Sequence, residues 1–215
     1  APCFRSYLEA LGVGFQNIIF SEHTSPLMWF KGSRRGSIDQ CFPSKSVIAH
    51  VHNLMFEQRE RNRPDIIFFP ILRKLPADIP GAVDNAPCPS VSITPDVVRA
   101  AFTKEGDVFA ENGIQYVTPG LDMKDPALFQ MQMHDCFAQL LGVTAEENKE
   151  AIDIAFQASR ASVDSLRREA RALLERLEEE GRAGVVMLGR PYHSDPGLSH
   201  EIMAEIQSKG YTVFT

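Results

Sequence analysis

Residues 144–147, TAEE, open the longest periodic segment in the chain. A threonine followed three residues later by a glutamate is the sequence form of a capping box, in which each side chain satisfies a free backbone N–H. Behind it Phe156, Ser159, Val163, Leu166, Ala170, Leu173 and Leu177 recur at steps of three and four, and Gly181 supplies a stop. The pattern predicts one helix over 144–180, about 55 Å long at 1.5 Å per residue. Such a rod buries one stripe, here Val163, Leu166, Leu173 and Leu177, and solvates Arg167, Arg168, Glu175 and Glu178 on its other side. A helix of this length is expected to span between two lobes.

On both sides of it, short apolar runs alternate with helical periods. Upstream, 2–11 reads as a helix ended by Gly12 or Gly14, and 17–20 as a strand. Thr24 or Ser25 caps a brief helix over 27–30, where Trp29 and Phe30 are expected to pack. The continuous apolar run 65–69 suits a strand covered on both faces of a parallel sheet. Four prolines make regular structure over 72–89 improbable. A strand at 91–93, a helix from Thr94 to Phe102, a strand at 114–117 and a helix over 127–141 follow, with Cys136 packing inside the last. Downstream, a strand at 184–188, a helix over 198–209 and a strand at 211–214 form a β-α-β unit. The expected fold is α/β: a Rossmann-like parallel-sheet lobe over 1–143, a long connecting helix over 144–181, and the truncated start of a second Rossmann-like lobe over 182–215.

A net charge of −6 provides no general basic field, so nucleic acid is not an expected partner. The basic clusters at Arg34 and Arg35, and at Arg59, Arg61 and Arg63, read as solvated surface. The longest apolar run, 66–72, is interrupted by Pro70 and is too short to span a bilayer. With no signal peptide at the start, a cytoplasmic location and no membrane partner are expected. Cys3, Cys41, Cys88 and Cys136 form no CxxC pair, which excludes a zinc ribbon and a thioredoxin motif.

The segment CFPSKSVIAHVHN, 41–53, places a cysteine just ahead of a helical period made by Val47, Ile48, Val51, Leu54 and Met55. Pro43 favours the first turn, where its missing N–H costs nothing. Cys41 is therefore expected at a helix N-terminus, whose free N–H groups stabilise a thiolate, as metal ligand or nucleophile. The alternative is a buried cysteine that only packs. His50 and His52 fall on opposite sides of the same helix and make no metal pair. A second polar turn, GRPYHSDPG at 189–197, follows the 184–188 strand, where open α/β sheets bind ligands. Arg190 and the N-terminus of a helix from Leu198 suit an anion, and Tyr192, His193 and His200 add hydrogen-bonding and proton-transfer capacity. The alternative is a structural turn in which Arg190 pairs with Asp195.

Three stretches carry a family resemblance: DQCFPSK at 39–45, APCPSVSITPDVV at 86–98 and VVMLGRPYHSDPGLSH at 185–200. They resemble the cysteine-bearing region of the CoA-substrate-specific enzyme activases, the activators of 2-hydroxyacyl-CoA dehydratases, which is itself similar to dehydratase subunits and double-cubane cluster proteins. The resemblance runs in order along the whole chain. It implies an iron–sulfur cofactor of the 4Fe–4S type with Cys41 and Cys88 among its ligands, thiolates being the expected donors. It also implies low-potential electron transfer, with an ATPase module and a dehydratase-like protein as partners. The ATP-binding signatures of the activase proper are absent from this stretch, and Ile71 stands where many relatives carry another cysteine. A scaffold that joins ATPase to effector without a cluster, and an acyl-CoA or small-molecule site at Arg190 and His193, are the competing expectations. Ligands of one cluster must face a common space, so the Cys88 thiol is expected on a loop edge beside the start of the Cys41 helix.

Overall fold

Two parallel strands, each bent at a proline, frame the amino-terminal part of the chain. In the computed structural model, which describes residues 2–36, 40–58, 63–76, 81 and 85–215, β1 (Ile66–Phe68) pairs with β3 (Gln115–Val117). Likewise β2 (Ile71–Lys74) pairs with β4 (Gly120–Asp122), also in parallel. Phe69 N–H donates to Val117 O and Ile71 N–H to Pro119 O, both at 2.8 Å, so the ladder continues past Pro70 and Pro119. The two pairs thus act as one ribbon.

Successive side chains on that ribbon point to opposite faces. Ile67 and Tyr116 join a core with Ile48 and Val51 of α3 (Phe42–His52), Phe102 of α4 (Pro89–Thr103) and Phe109 of α5 (Val108–Glu111). Phe68 and Leu121 face the other core, built by Tyr7 of α1 (Pro2–Ala10), Phe129 and Met133 of α6 (Pro126–Leu141), and Ile152 of α7 (Ala145–Glu179). The fold is α/β, with helices on both faces of a parallel sheet. A further parallel pair, β5 (Gly184–Val186) with β6 (Thr212–Phe214), flanks α8 (Ile202–Ser208). Among the described residues no helix is long and apolar enough to cross a membrane.

The capping box forms as expected. Glu147 N–H donates to Thr144 Oγ1, and Thr144 N–H donates back to Glu147 Oε2 at 2.9 Å. The helix behind it anchors on α1 through a buried polar pair. Tyr7 Oη donates to Asn148 Oδ1 at 2.7 Å, and Asn148 Nδ2 donates to Gln130 O at 2.9 Å. Asn148 is fully buried, so Asn148→Ala strands a tyrosine hydroxyl and a carbonyl without water. A loss of about 1–3 kcal/mol is expected in denaturant unfolding; an unchanged midpoint would show that the pair contributes nothing.

Several expectations are corrected. Over 17–20 the chain makes no strand. Phe15–Asn17 is a 3-10 turn, and Phe20 O accepts from Gln58 Nε2 rather than from a sheet neighbour. The strand expected at 91–93 is helix, because α4 starts at Pro89 and buries Thr94, Val97, Val98 and Phe102 on one side. Residues 72–74 belong to β2, not to irregular chain. Trp29 packs on Phe42, but Phe30 is 65% exposed. Arg35 is not simple solvated surface, since its guanidinium lies over the Phe56 and Phe102 rings. Arg59 and Arg61 lie outside the described residues, as does Asp39. Of the α7 stripe, Leu177 is buried while Val163 and Leu166 are exposed. The buried turns are instead those nearest α1, at Ala151, Ile152 and Ala155.

Candidate functional site

Ser25 caps α2 (Pro26–Gly32) by accepting from Met28 N–H, and α2 crosses α3 where Gly32 meets Ala49. At the start of α3, Phe42 packs against Trp29 of α2. Cys41 is the N-cap of α3 and Pro43 sits in its first turn, as the sequence predicts. The Cys41 thiol is exposed and hydrogen-bonds to Ser44 Oγ at 3.4 Å. This contact and the Ser44 backbone N–H lower its pKa from the ordinary thiol value and outweigh the opposing effect of burial, with lesser help from the Cys41 backbone and the Ser90 side chain. The packing alternative does not apply to Cys41.

Cys88 takes the same position on the neighbouring helix. It is the N-cap of α4, with Pro89 directly behind it, and its thiol is half-buried. Ser90, two residues on, makes the smallest of the contributions that lower the Cys41 pKa. Helices α3 and α4 are in contact, and Cys88 ends the loop that enters α4. Beside Cys41, the Gln40 side-chain amide is buried with no hydrogen-bond partner among the described residues. Cys3 is buried, and burial pushes its thiol upward. Burial also pushes the Cys136 thiol up to about 11, consistent with a packing role. Among the described residues, no group of three or more His, Cys, Asp or Glu is placed to hold a metal ion.

The turn after β5 forms a separate constellation. Arg190, His193, Ser194 and Met203 line a cavity of about 280 Å³ at the carboxyl ends of β5 and β6. Arg190 N–H donates to His193 Nδ1 at 2.9 Å, which leaves Nε2 to carry the proton of the neutral ring. Tyr192 packs against His193 with the rings tilted by 49°, 4.6 Å between centroids. His200 is not among the residues lining the cavity and has φ 52°. The helix expected from Leu198 begins only at Ile202, so no helix N-terminus at Leu198 is available to an anion. Leu198 N–H instead donates to Asp195 Oδ1 at 3.0 Å.

Asp195 does not pair with Arg190. Its Oδ2 accepts from Thr24 N–H at 3.3 Å and from Thr24 Oγ1 at 3.0 Å, across 171 residues of sequence. Thr24 Oγ1 lies 3.0 Å from His50 Nε2, and His50 Nδ1 lies 2.8 Å from Ser21 Oγ. Burial works against ionisation of Asp195, but the N–H groups of Leu198, Thr24 and Gly197 and the Thr24 hydroxyl outweigh it and hold the carboxyl below its usual range.

Over residues 1–215 the chain matches the family described as CoA enzyme activase uncharacterised domain. The chain belongs to this CoA enzyme activase family. No curated protein and no solved structure matches it.

Two contacts of this activase-family chain escaped the sequence reading, the approach of Ser90 to Cys41 and the hydrogen bonds of Thr24 to Asp195. Ser90 had a signal, because both cysteines are followed closely by Pro–Ser, at Pro43–Ser44 and Pro89–Ser90. Thr24 had none, since its partner is remote. His50 has a testable acid response. Burial lowers its pKa from 6.5, outweighing the raising effects of Asp195 and the Glu22 backbone, while the His23 charge lowers it further. The folded state therefore binds fewer protons than the unfolded chain near that pH, and its stability is present above 6.5 and lost as pH falls through the folded value. His52, also lowered by burial, acts with the same sign. Urea midpoints should fall between about pH 7 and pH 5, and less so in His50→Gln; equal slopes would remove His50 from the account.

Proposed function

We propose that this activase-family chain supplies part of the thiolate set of an iron–sulfur cluster, with Cys41 and Cys88 as ligands. The observation that carries the reading is that Cys41 and Cys88 each N-cap one of two helices in contact, α3 and α4, with Ser90 of α4 near enough to lower the Cys41 pKa. The donor chemistry fits. Both cysteines are reduced, soft donors, and each stands at the end of a helix that favours negative charge. Two thiolates are half of a four-thiolate set, so the remaining ligands come from a partner or from residues elsewhere in the protein. A bound cluster of this class supplies one-electron transfer at low potential. The residues of this chain hold charge in place: the Cys41 thiol donates to Ser44 Oγ at 3.4 Å, and once the sulfur is a thiolate the Ser44 hydroxyl is placed to donate to it instead.

In this reading the chain passes electrons in an ATP-driven system, between an ATPase module and a dehydratase-like partner. Anaerobic iron and sulfide analysis of the full-length protein tests it. Iron and acid-labile sulfide in a brown protein are expected; a colourless, iron-free preparation would leave a cluster-less scaffold joining ATPase to effector. The Arg190 cavity supports a second reading, an acyl-CoA or other small-molecule anion held by Arg190 with His193 beside it. Calorimetric titration with an acyl-CoA tests that one, and affinity that survives in Cys41→Ala would separate it from the first.

A further inference from the structure

The polar chain Ser21–His50–Thr24–Asp195 has only one consistent arrangement of protons at neutral ring charge. Asp195 is an acceptor, and every group that reaches it is a donor: Leu198 N–H on Oδ1, and Thr24 N–H and Thr24 Oγ1 on Oδ2. Thr24 has a single hydroxyl proton and gives it to the carboxylate. Its oxygen must therefore accept from His50, which places the ring proton on Nε2. His50 Nδ1 is then the acceptor for the Ser21 hydroxyl. The surroundings are tight. Thr24 is buried, Ser199 is buried, and a Cβ on Gly197 would run into the Thr24 carbonyl.

We propose that this chain is a pin that seats the Arg190 turn on the helix beginning at Cys41, with Asp195 as its positioning residue. His50 lies on α3, nine residues after the cysteine, and Asp195 lies in the same turn as Arg190 and His193. The pin fixes the register between the thiol-bearing helix and the cavity-bearing turn. It stands on geometry alone, so it holds whether or not a cluster binds at Cys41.

The satisfiability of Asp195 gives the test its direction. An asparagine there must turn an NH2 group toward one of the donors, so Asp195→Asn breaks the pin despite its equal size. Thr24→Val removes the relay hydroxyl at nearly constant shape, and Thr24→Ser keeps it. Amide hydrogen exchange on the full-length chain reads the outcome over 21–26 and 190–201. Asp195→Asn and Thr24→Val should speed exchange in both segments by about ten-fold or more, and Thr24→Ser should restore protection. Nitrogen-15 spectra of the His50 ring should show the Nε2-protonated tautomer in the parent and a mixture in Thr24→Val. Because Thr24→Val removes one internal hydroxyl only, it remains informative where Asp195→Asn fails to fold. Exchange unchanged in Thr24→Val, or an Nδ1-protonated His50 in the parent, would overturn the pin.

Discussion

Gly32→Ala should cost at least about 3 kcal/mol of unfolding free energy, at the upper end for overpacked cores. An alanine at an ordinary helix position gains roughly 1 kcal/mol over glycine, so the sign itself is diagnostic. At Gly32 the added carbon would stand against the Ala49 backbone and 2.7 Å from Ala49 Cβ. Neither group can rotate away, because one is backbone and the other a methyl carbon of a buried residue. The crossing of α2 and α3 must open. Gly106→Ala is the control, since a Cβ there meets only the flexible end of Glu111. Chemical unfolding should separate the two variants clearly. A Gly32→Ala protein as stable as the parent would mean that the helices do not cross there.

The second large effect concerns bound iron. In protein purified without oxygen, Cys41→Ala should lose the iron and the brown colour, while Cys136→Ala keeps both. Cys41 is exposed with a depressed thiol pKa, whereas burial holds Cys136 protonated far above neutral pH. Ser90→Ala should weaken retention by about ten-fold without abolishing it, the usual cost of losing a hydrogen bond to a ligand atom. Iron retained in full by Cys41→Ala would exclude that cysteine as a ligand, and with it the proposed thiolate set.

What the sequence made legible was local. Thr144 and Glu147 announced a helix start because both partners of the capping box lie within four residues. Cys41 with Pro43 announced another for the same reason, and the family match agrees with the motifs that carry the resemblance. The segment 88–96 misled because it holds two competing start signals, Cys88-Pro89 and Thr94-Pro95, and four β-branched or small residues between them. The first start wins, and the helix it opens carries Val98, Ala101 and Phe102 into the core under β1. Thr94 Oγ1 then bonds back to Ser90 O at 2.6 Å, inside the helix. The sequence could not show that Ser90 serves Cys41, nor that Asp195 serves Thr24 in place of Arg190. Both depend on which surfaces meet, and no periodicity records that.

The Thr24–Asp195 contact also bears on the order in which the molecule assembles. Its ends are 171 residues apart, so closing that loop has a large entropic cost unless most of the intervening chain is already structured. Chain emerging from the ribosome can build α2 and α3 and bury His50 long before residue 195 exists. Until then the Thr24 hydroxyl has no carboxylate to donate to. The contact is thus among the last native interactions to form, and a partial unfolding that frees residues 190–201 reverses that step first.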